Sequence, residues 1–313
     1  MLKQALQGVV TVAIGGHVRP DGDCIGSCLG LYQYLQKEYP DVSVDVYLEP
    51  VPECFLMIEA VKDIKHEAPE QKVYDLYISL DCGDASRLTF SEHLFHSAKK
   101  TFCVDHHISN KGFADMNYIV PDASSASELV YRLLDTEKVT KEVAECLYMG
   151  IVHDTGVFQY SSTSPETMEI AADLMRTGMD AATIIEKTFY EKTYAQHLIL
   201  GKCLLDSRLC MDGACIVEVL SAKTMEEFQV TTKDLEGVVS HMRQTKGVEV
   251  AIFLYELDEN EYKISMRSNG DVDVSIISQL FGGGGHKKAA GVTMTGTPEE
   301  IIDKLKTEIA KQL

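Results

Sequence analysis

The sequence predicts an α/β protein: a parallel, Rossmann-like sheet with crossover helices, followed by a smaller mixed α/β domain. Two patterns carry this. In the first half, short apolar runs alternate with helical stretches; past about residue 190, alternating strand patterns lead to a run of four glycines.

Taken in order, "VVTVAIGGH" reads as a buried strand and "IGSCLGLYQYLQKEY" as a helix. "VSVDVYL", "LYISLD" and "TFCVDHH" follow as strands, and "KEVAECLYMGIVHD" as a helix. Consecutive strands spaced by helices favour parallel pairing. "ETMEIAADLMRTG" and "YAQHLILGKCLLDS" read as connector helices, with the first domain, 1–190, including the connector from about 165. The second, 191–313, has strands at "ACIVEVL", "VEVAIFLYEL" and "YKISMRS" and helices at "TTKDLEGVVSHMRQ" and "TPEEIIDKLKTEIAKQL".

Composition limits the function. The 313 residues carry a net charge of −19, from 29 basic and 48 acidic side chains, which opposes binding of long nucleic acid by counterion release. Apolar runs fall short of a membrane span, and no signal peptide is read at "MLKQALQGVV", so the expected location is the cytoplasm. The nine cysteines form no Cys-x-x-Cys pair and are expected to be reduced. Cys24, Cys28, Cys82 and Cys103 lie beside polar motif residues and invite a thiolate-metal reading, but oxygen and imidazole ligands are closer to hand.

In a parallel sheet, ligands gather outside the carboxyl ends of the strands. His17, Asp81, and Asp105 with His106 and His107 each stand where an apolar strand runs out. Asp21 and Asp23 follow His17, and Asp154 ends a helix. Singly, each has an ordinary role as a cap, turn or surface residue, and His153 is read as structural. Jointly, five carboxylates and three histidines at one rim repel one another unless cations neutralise them. A carboxylate and imidazole set suits a pair of divalent ions, Mn²⁺ or Mg²⁺ first, with Co²⁺ or Zn²⁺ as substitutes.

In "FGGGGHKKAAG", glycines without Cβ let the backbone approach an anion, and His286, Lys287 and Lys288 supply local cations to an acidic chain.

The ordered blocks "HVRPDGDCIGS", "SLDCGD", "VDHHISN" and "HDTGVF" resemble the four motifs of the DHH phosphoesterase superfamily. "SMRSNGDVDV" with "FGGGGHKKAAG" resembles its DHHA1 domain. Within the superfamily the resemblance is nearest to the short two-domain nano-RNases, bifunctional oligoribonucleases and pAp phosphatases. It implies one metal at His17, Asp21 and Asp81 and a second at Asp23, Asp81, His106 and Asp154, with Asp81 bridging. His107 would face the scissile phosphate, and Asp105 would orient the neighbouring histidines. Arg267 and Ser268 would bind a substrate phosphate, while Gly283, Gly284, Gly285 and His286 approach the nucleotide across a cleft between the domains. Cys24 stands where the family often has Ala.

The implied activity is Mn²⁺-dependent hydrolysis of RNA two to about five nucleotides long to 5′-mononucleotides, or of pAp to AMP, by a chain that relatives suggest is a homodimer. The alternatives are phosphodiesterase action on cyclic or linear dinucleotides (c-di-AMP, pApA, pGpG) and, in another class, a non-catalytic nucleotide sensor, which would be expected to lack ligand residues. Inorganic pyrophosphatase fits less well because that resemblance does not extend to a "GGGGH" domain.

Overall fold

A computed structural model describes residues 1–313. The chain divides into two compact units, Met1–Glu191 and Lys192–Leu313.

The first unit is built on six parallel strands: β1 (Thr11–Gly15), β2 (Ser43–Tyr47), β3 (Ile64–Lys65), β4 (Leu76–Leu80), β5 (Thr101–Asp105) and β6 (Met116–Ile119). Their spatial order is β3-β2-β1-β4-β5-β6, with Val12 beside both Val44 and Leu76 and Leu80 beside Val104. The four strands read from sequence are β1, β2, β4 and β5. Of these, β1, β4 and β5 are nearly continuous apolar runs, as strands covered on both faces must be, whereas β2 alternates. The sequence reading missed β3, only two residues long, and β6, "MNYI", whose half-buried mixture gives no clean periodicity. The order in which strands are added reverses between β1 and β4, so the sheet's topological switch point, where such folds bind ligands, lies at their carboxyl ends.

The helices Gly22–Glu38 and Lys141–Asp154 pack closely because small residues line their contact. A Cβ on Gly26 would meet the Cys146 carbonyl oxygen at 2.4 Å. This close approach brings Asp23, in the first turn of one helix, toward Asp154, the last residue of the other. The core includes Ile25, Leu29, Leu147 and Ile151 from these helices and Ile14, Ile78 and Val104 from the strands, all with no exposed surface.

The second unit has a mixed sheet in the order β11-β12-β10-β9-β8-β7. Its strands are β7 (Arg208–Cys210), β8 (Cys215–Leu220), β9 (Val250–Asp258), β10 (Glu261–Ser268), β11 (Gly284–His286) and β12 (Ala289–Thr295), with only β8 and β9 parallel. The helix Tyr194–Asp206, read from sequence as a connector, packs Ile199 and Cys203 into this unit's core with Val238 and Met242. The continuous helix expected over "TTKDLEGVVSHMRQ" is broken. A short 3₁₀ turn, Thr232–Leu235, and a helix, Val238–Arg243, are separated at Gly237, whose φ of 88° no helix accommodates. The glycine run is likewise not an open loop, since β11 pairs with β12 through Gly284 opposite Gly291 and His286 opposite Ala289. No helix of either unit is long and apolar enough to cross a membrane.

Candidate metal centre

The three strand ends and the two packed helices deliver their polar side chains to one place. His17 Nε2 lies 3.6 Å from Asp21 Oδ2 and 3.3 Å from Asp81 Oδ2. His106 Nε2 lies 3.4 Å from Asp81 Oδ1, 4.0 Å from Asp23 Oδ2 and 3.0 Å from Asp154 Oδ2. Each imidazole thus has its own carboxylates, and Asp81 is common to both groups.

Hydrogen bonding fixes which nitrogen each ring presents. His17 Nδ1 is 2.8 Å from the Val18 carbonyl oxygen, and His106 Nδ1 is 3.4 Å from that of Ala123. A carbonyl only accepts, so Nδ1 carries the proton in both rings. Nε2 then aims a lone pair at carboxylate oxygens, which is repulsive unless a proton or a metal ion sits between them. Asp81 sharpens the point: it is 3% exposed, and its Oδ1 is enclosed without an acceptable hydrogen bond. An orphaned buried carboxylate oxygen among imidazoles and carboxylates is what a divalent cation would satisfy, so the residues fit the metals that the motifs imply.

The electrostatics give the same reading. Burial opposes charge on His17, but Cys24, Asp21 and Asp81 outweigh it and raise its pKa to about 12. Burial likewise opposes charge on His106, and Asp154, Asp81 and Asp23 again push the pKa to about 12. Asp81 resists burial through its two histidines and stays well below the usual carboxylate range. Burial and mutual repulsion raise Asp23 and Asp154. Without cations, the cluster therefore gathers protons in their place.

The local folding that builds this cluster is specific. Asp21 caps its helix, accepting from the backbone N–H groups of Asp23 and Cys24 through Oδ1, which leaves Oδ2 on the side of His17. Asp81, immediately after β4, has φ 54°, a left-handed conformation that Asp tolerates better than most residues, while its N–H stays bonded to the Val104 carbonyl. After Asp154, Val157 and Phe158 also have positive φ, unusual for a β-branched and a bulky residue.

His107 is held differently from its neighbour. Its Nδ1 donates to Asp105 Oδ1 at 2.7 Å, and Asp105 Oδ2 accepts from Asn110 Nδ2 at 2.7 Å. Asp105, fully buried, thus orients His107 alone, whereas the backbone of Ala123 orients His106. The Asp105 hydrogen bond also raises the pKa of His107. His153, read as structural, hydrogen-bonds Thr188 and packs against Phe55 and Phe189.

Three supporting features were missed in the sequence. Asp23, with no exposed surface, accepts from the N–H groups of Ala126 at 2.6 Å and Ser127 at 2.8 Å, at the start of the helix Ala126–Leu133. That helix announces itself through the cap Ser125 and Glu128 three residues on. Asn110 stands in the "VDHHISN" block without an obvious role. Gly150 cannot carry a side chain, because a Cβ there would lie 1.9 Å from Ser127 Oγ and 2.8 Å from Asp23 Oδ1.

In the second unit, Arg267 is half-buried on β10, with Nη1 donating to the Met266 carbonyl. Ser268 is 1% exposed and its hydroxyl donates to the Lys287 carbonyl, which braces the β11–β12 hairpin. Gly284, Gly285, His286, Lys287 and Lys288 are exposed, and Gly283 is partly covered, its N–H bonded to the Ser278 carbonyl.

Comparison with known proteins follows this division. The DHH family, N-terminal domain, matches residues 11–151, and the DHHA1 domain matches residues 212–313, together well over half of the chain. A Thermus thermophilus protein named bifunctional oligoribonuclease and PAP phosphatase NrnA is 28% identical over 98% of this chain and 92% of its own. A Bacillus subtilis protein of the same name is 26% identical over 95% and 94%. Among solved structures, an exopolyphosphatase-related protein from Bacteroides fragilis matches with a TM-score of 0.91 at 28% identity, covering 99% of this chain and 94% of that one. The chain therefore belongs to the DHH/DHHA1 phosphoesterase family, with every member of the aspartate and histidine cluster except Asp154, three residues beyond the match, inside the matched DHH residues.

Proposed function

We propose that this chain is a divalent-cation-dependent phosphoesterase, loaded with Mn²⁺, that cleaves RNA of two to about five nucleotides to 5′-mononucleotides and removes the 3′-phosphate of pAp. The observation that carries the reading is Asp81, one enclosed carboxylate shared by two imidazole–carboxylate groups, with an oxygen lacking any hydrogen bond. The names of the Thermus and Bacillus relatives support the choice of substrates.

In this reading His17, Asp21 and Asp81 hold one cation, and Asp23, Asp81, His106 and Asp154 the other. Such a pair supplies a nucleophilic water at neutral pH and neutralises charge developing at phosphorus. The other residues bind and orient. His107, fixed through Nδ1 by Asp105, presents its remaining nitrogen to the scissile phosphate. Arg267 contacts a substrate phosphate, a charge-assisted hydrogen bond of the stronger kind. The glycine hairpin and His286 approach the nucleotide, where glycines keep side chains out of the way. The net charge of −19 makes each phosphate beyond the bound few meet a repulsive field, which favours short substrates. Nine free thiols suit a reducing compartment, in keeping with a cytoplasmic location.

The test is a comparison of kcat/KM, in Mn²⁺, for pAp, a dinucleotide, a pentanucleotide, cyclic dinucleotides, pyrophosphate, polyphosphate and a long RNA strand. The proposal expects pAp and the short RNAs to lead. Equal efficiency on the long strand, or a clear preference for pyrophosphate or polyphosphate, would overturn it.

A further inference from the structure

One buried group beside the metal centre has no part in the ligand set above. Cys24 has no exposed surface, and its sulfur, a His17 ring nitrogen and an Asp81 carboxylate oxygen lie within 4.8 Å of one another. Donor atoms on one tetrahedral ion, bound at 2.0–2.3 Å, sit about 3.5 Å apart, so a small adjustment of the side chains brings all three onto a single cation. The backbone is already committed to that position, because the Cys24 N–H donates to Asp21 Oδ1, the cap that also places the Asp21 carboxylate beside His17. Asp81, 3% exposed, closes the same group through Oδ2, which lies 3.3 Å from His17 Nε2.

We propose that Cys24 is a metal-selectivity residue, adding a sulfur donor to the His17–Asp81 position and turning it toward softer cations than Mn²⁺. Thiolate donors favour Zn²⁺, and by the same softness Cd²⁺, over Mn²⁺ and Mg²⁺, which prefer oxygen. On binding, the S–H bond gives way to a metal–sulfur bond and the proton passes to water. The rival explanation is packing: a Cβ on Gly16 would lie 2.2 Å from Cys24 Sγ, so this sulfur fills the space that glycine leaves. Cys28 is the internal control, since its sulfur would lie 3.2 Å from the same Cβ and is equally buried, yet it is outside the His17–Asp81 group.

This inference rests on the reading of the cluster as a divalent-cation centre, and the experiment separates the two. The full-length protein is stripped with chelator and reloaded with Co²⁺, bound cobalt is counted by mass spectrometry, and the near-ultraviolet thiolate-to-cobalt charge-transfer absorption is recorded. The same is done for Cys24→Ser, Cys24→Ala and Cys28→Ala. The expected result is a band in the parent protein and in Cys28→Ala, and its loss in both Cys24 variants with cobalt still bound. Competition between Cd²⁺ and Mn²⁺ should also shift toward Mn²⁺ by about tenfold or more in Cys24→Ser, roughly 1.4 kcal/mol. Cobalt bound without a band in the parent, or a band and cadmium preference unchanged in Cys24→Ser, overturns the role of Cys24 and leaves the metal centre standing. No cobalt bound at all overturns both.

Discussion

His106 Nε2 lies 3.4 Å from Asp81 Oδ1, an enclosed oxygen with no hydrogen bond of its own. With His17 Nε2 at 3.3 Å from the other oxygen, Asp81 is the only group that touches both halves of the cluster. Asp81→Asn keeps the shape but removes the charge and one metal-binding oxygen. Turnover should vanish and bound metal fall together, as measured on one preparation by hydrolysis of a dinucleotide and by elemental analysis. Full activity in Asp81→Asn would remove Asp81 from the centre.

Asp105 acts on His107 through a 2.7 Å hydrogen bond and is itself held by Asn110. Replacing Asp105 with Asn should lower kcat by about 10–100-fold, the usual effect of losing a group that orients a site residue. Because Asp105 raises the pKa of His107, any limb of the pH–rate profile due to His107 should move to lower pH in the variant. A profile that falls in height with unmoved limbs would show that Asp105 does not act through His107.

Gly150 leaves the space that lets Asp23 meet the amide groups of Ala126 and Ser127. Gly150→Ala should cost about 1–3 kcal/mol, as overpacking does, and weaken metal binding as Asp23 is displaced. Gly201→Ala is the comparison: it lies within a helix with nothing inside 4 Å of the added carbon, so a gain of about 0.5–1 kcal/mol is expected. Thermal unfolding with metal titration distinguishes them, and a neutral Gly150→Ala would contradict the packing account.

Glu218, on β8 in the second unit, is 5% exposed, and burial with the nearby Asp206 raises its pKa to about 7. The folded chain thus keeps a proton that the unfolded chain releases above its ordinary value of 4.5. Stability from this group falls as pH climbs from about 4.5 to 7 and stays low above that. Glu218→Gln cannot ionise, so at about pH 8 it should be more stable than the parent by roughly 1–3 kcal/mol, with the gap closing below about pH 4. Denaturant titrations of both proteins across that range test it; a gap that does not change with pH contradicts the assignment.

The sequence shows the parts of this fold whose physics is local. β1, β4 and β5 are apolar runs that stop at His17, Asp81 and Asp105, so periodicity and the place where it fails point to the same rim. β3 and β6 are invisible by that logic because they are short edge strands without a clear pattern. Gly237 was in plain view, and weighing its cost inside a helix would have predicted the break. Asp23 is the instructive case in the site. Its partners, the amides of Ala126 and Ser127, are backbone groups over a hundred positions away, and no side-chain motif advertises a backbone donor. Ser268 is a related case: the Arg-Ser pair suggests a phosphate clamp, while alternation along β10 leaves Arg267 half-buried and buries Ser268, which the pair alone does not reveal.

The central claim is that this cluster works through bound divalent cations, and it is tested most directly by measuring dinucleotide hydrolysis against metal content in one preparation. The protein would be stripped until elemental analysis finds no transition metal or magnesium, then titrated with Mn²⁺. Activity should be absent in the stripped protein and return with Mn²⁺, reaching its plateau as two ions per chain are bound. Undiminished hydrolysis by the metal-free protein would contradict the account.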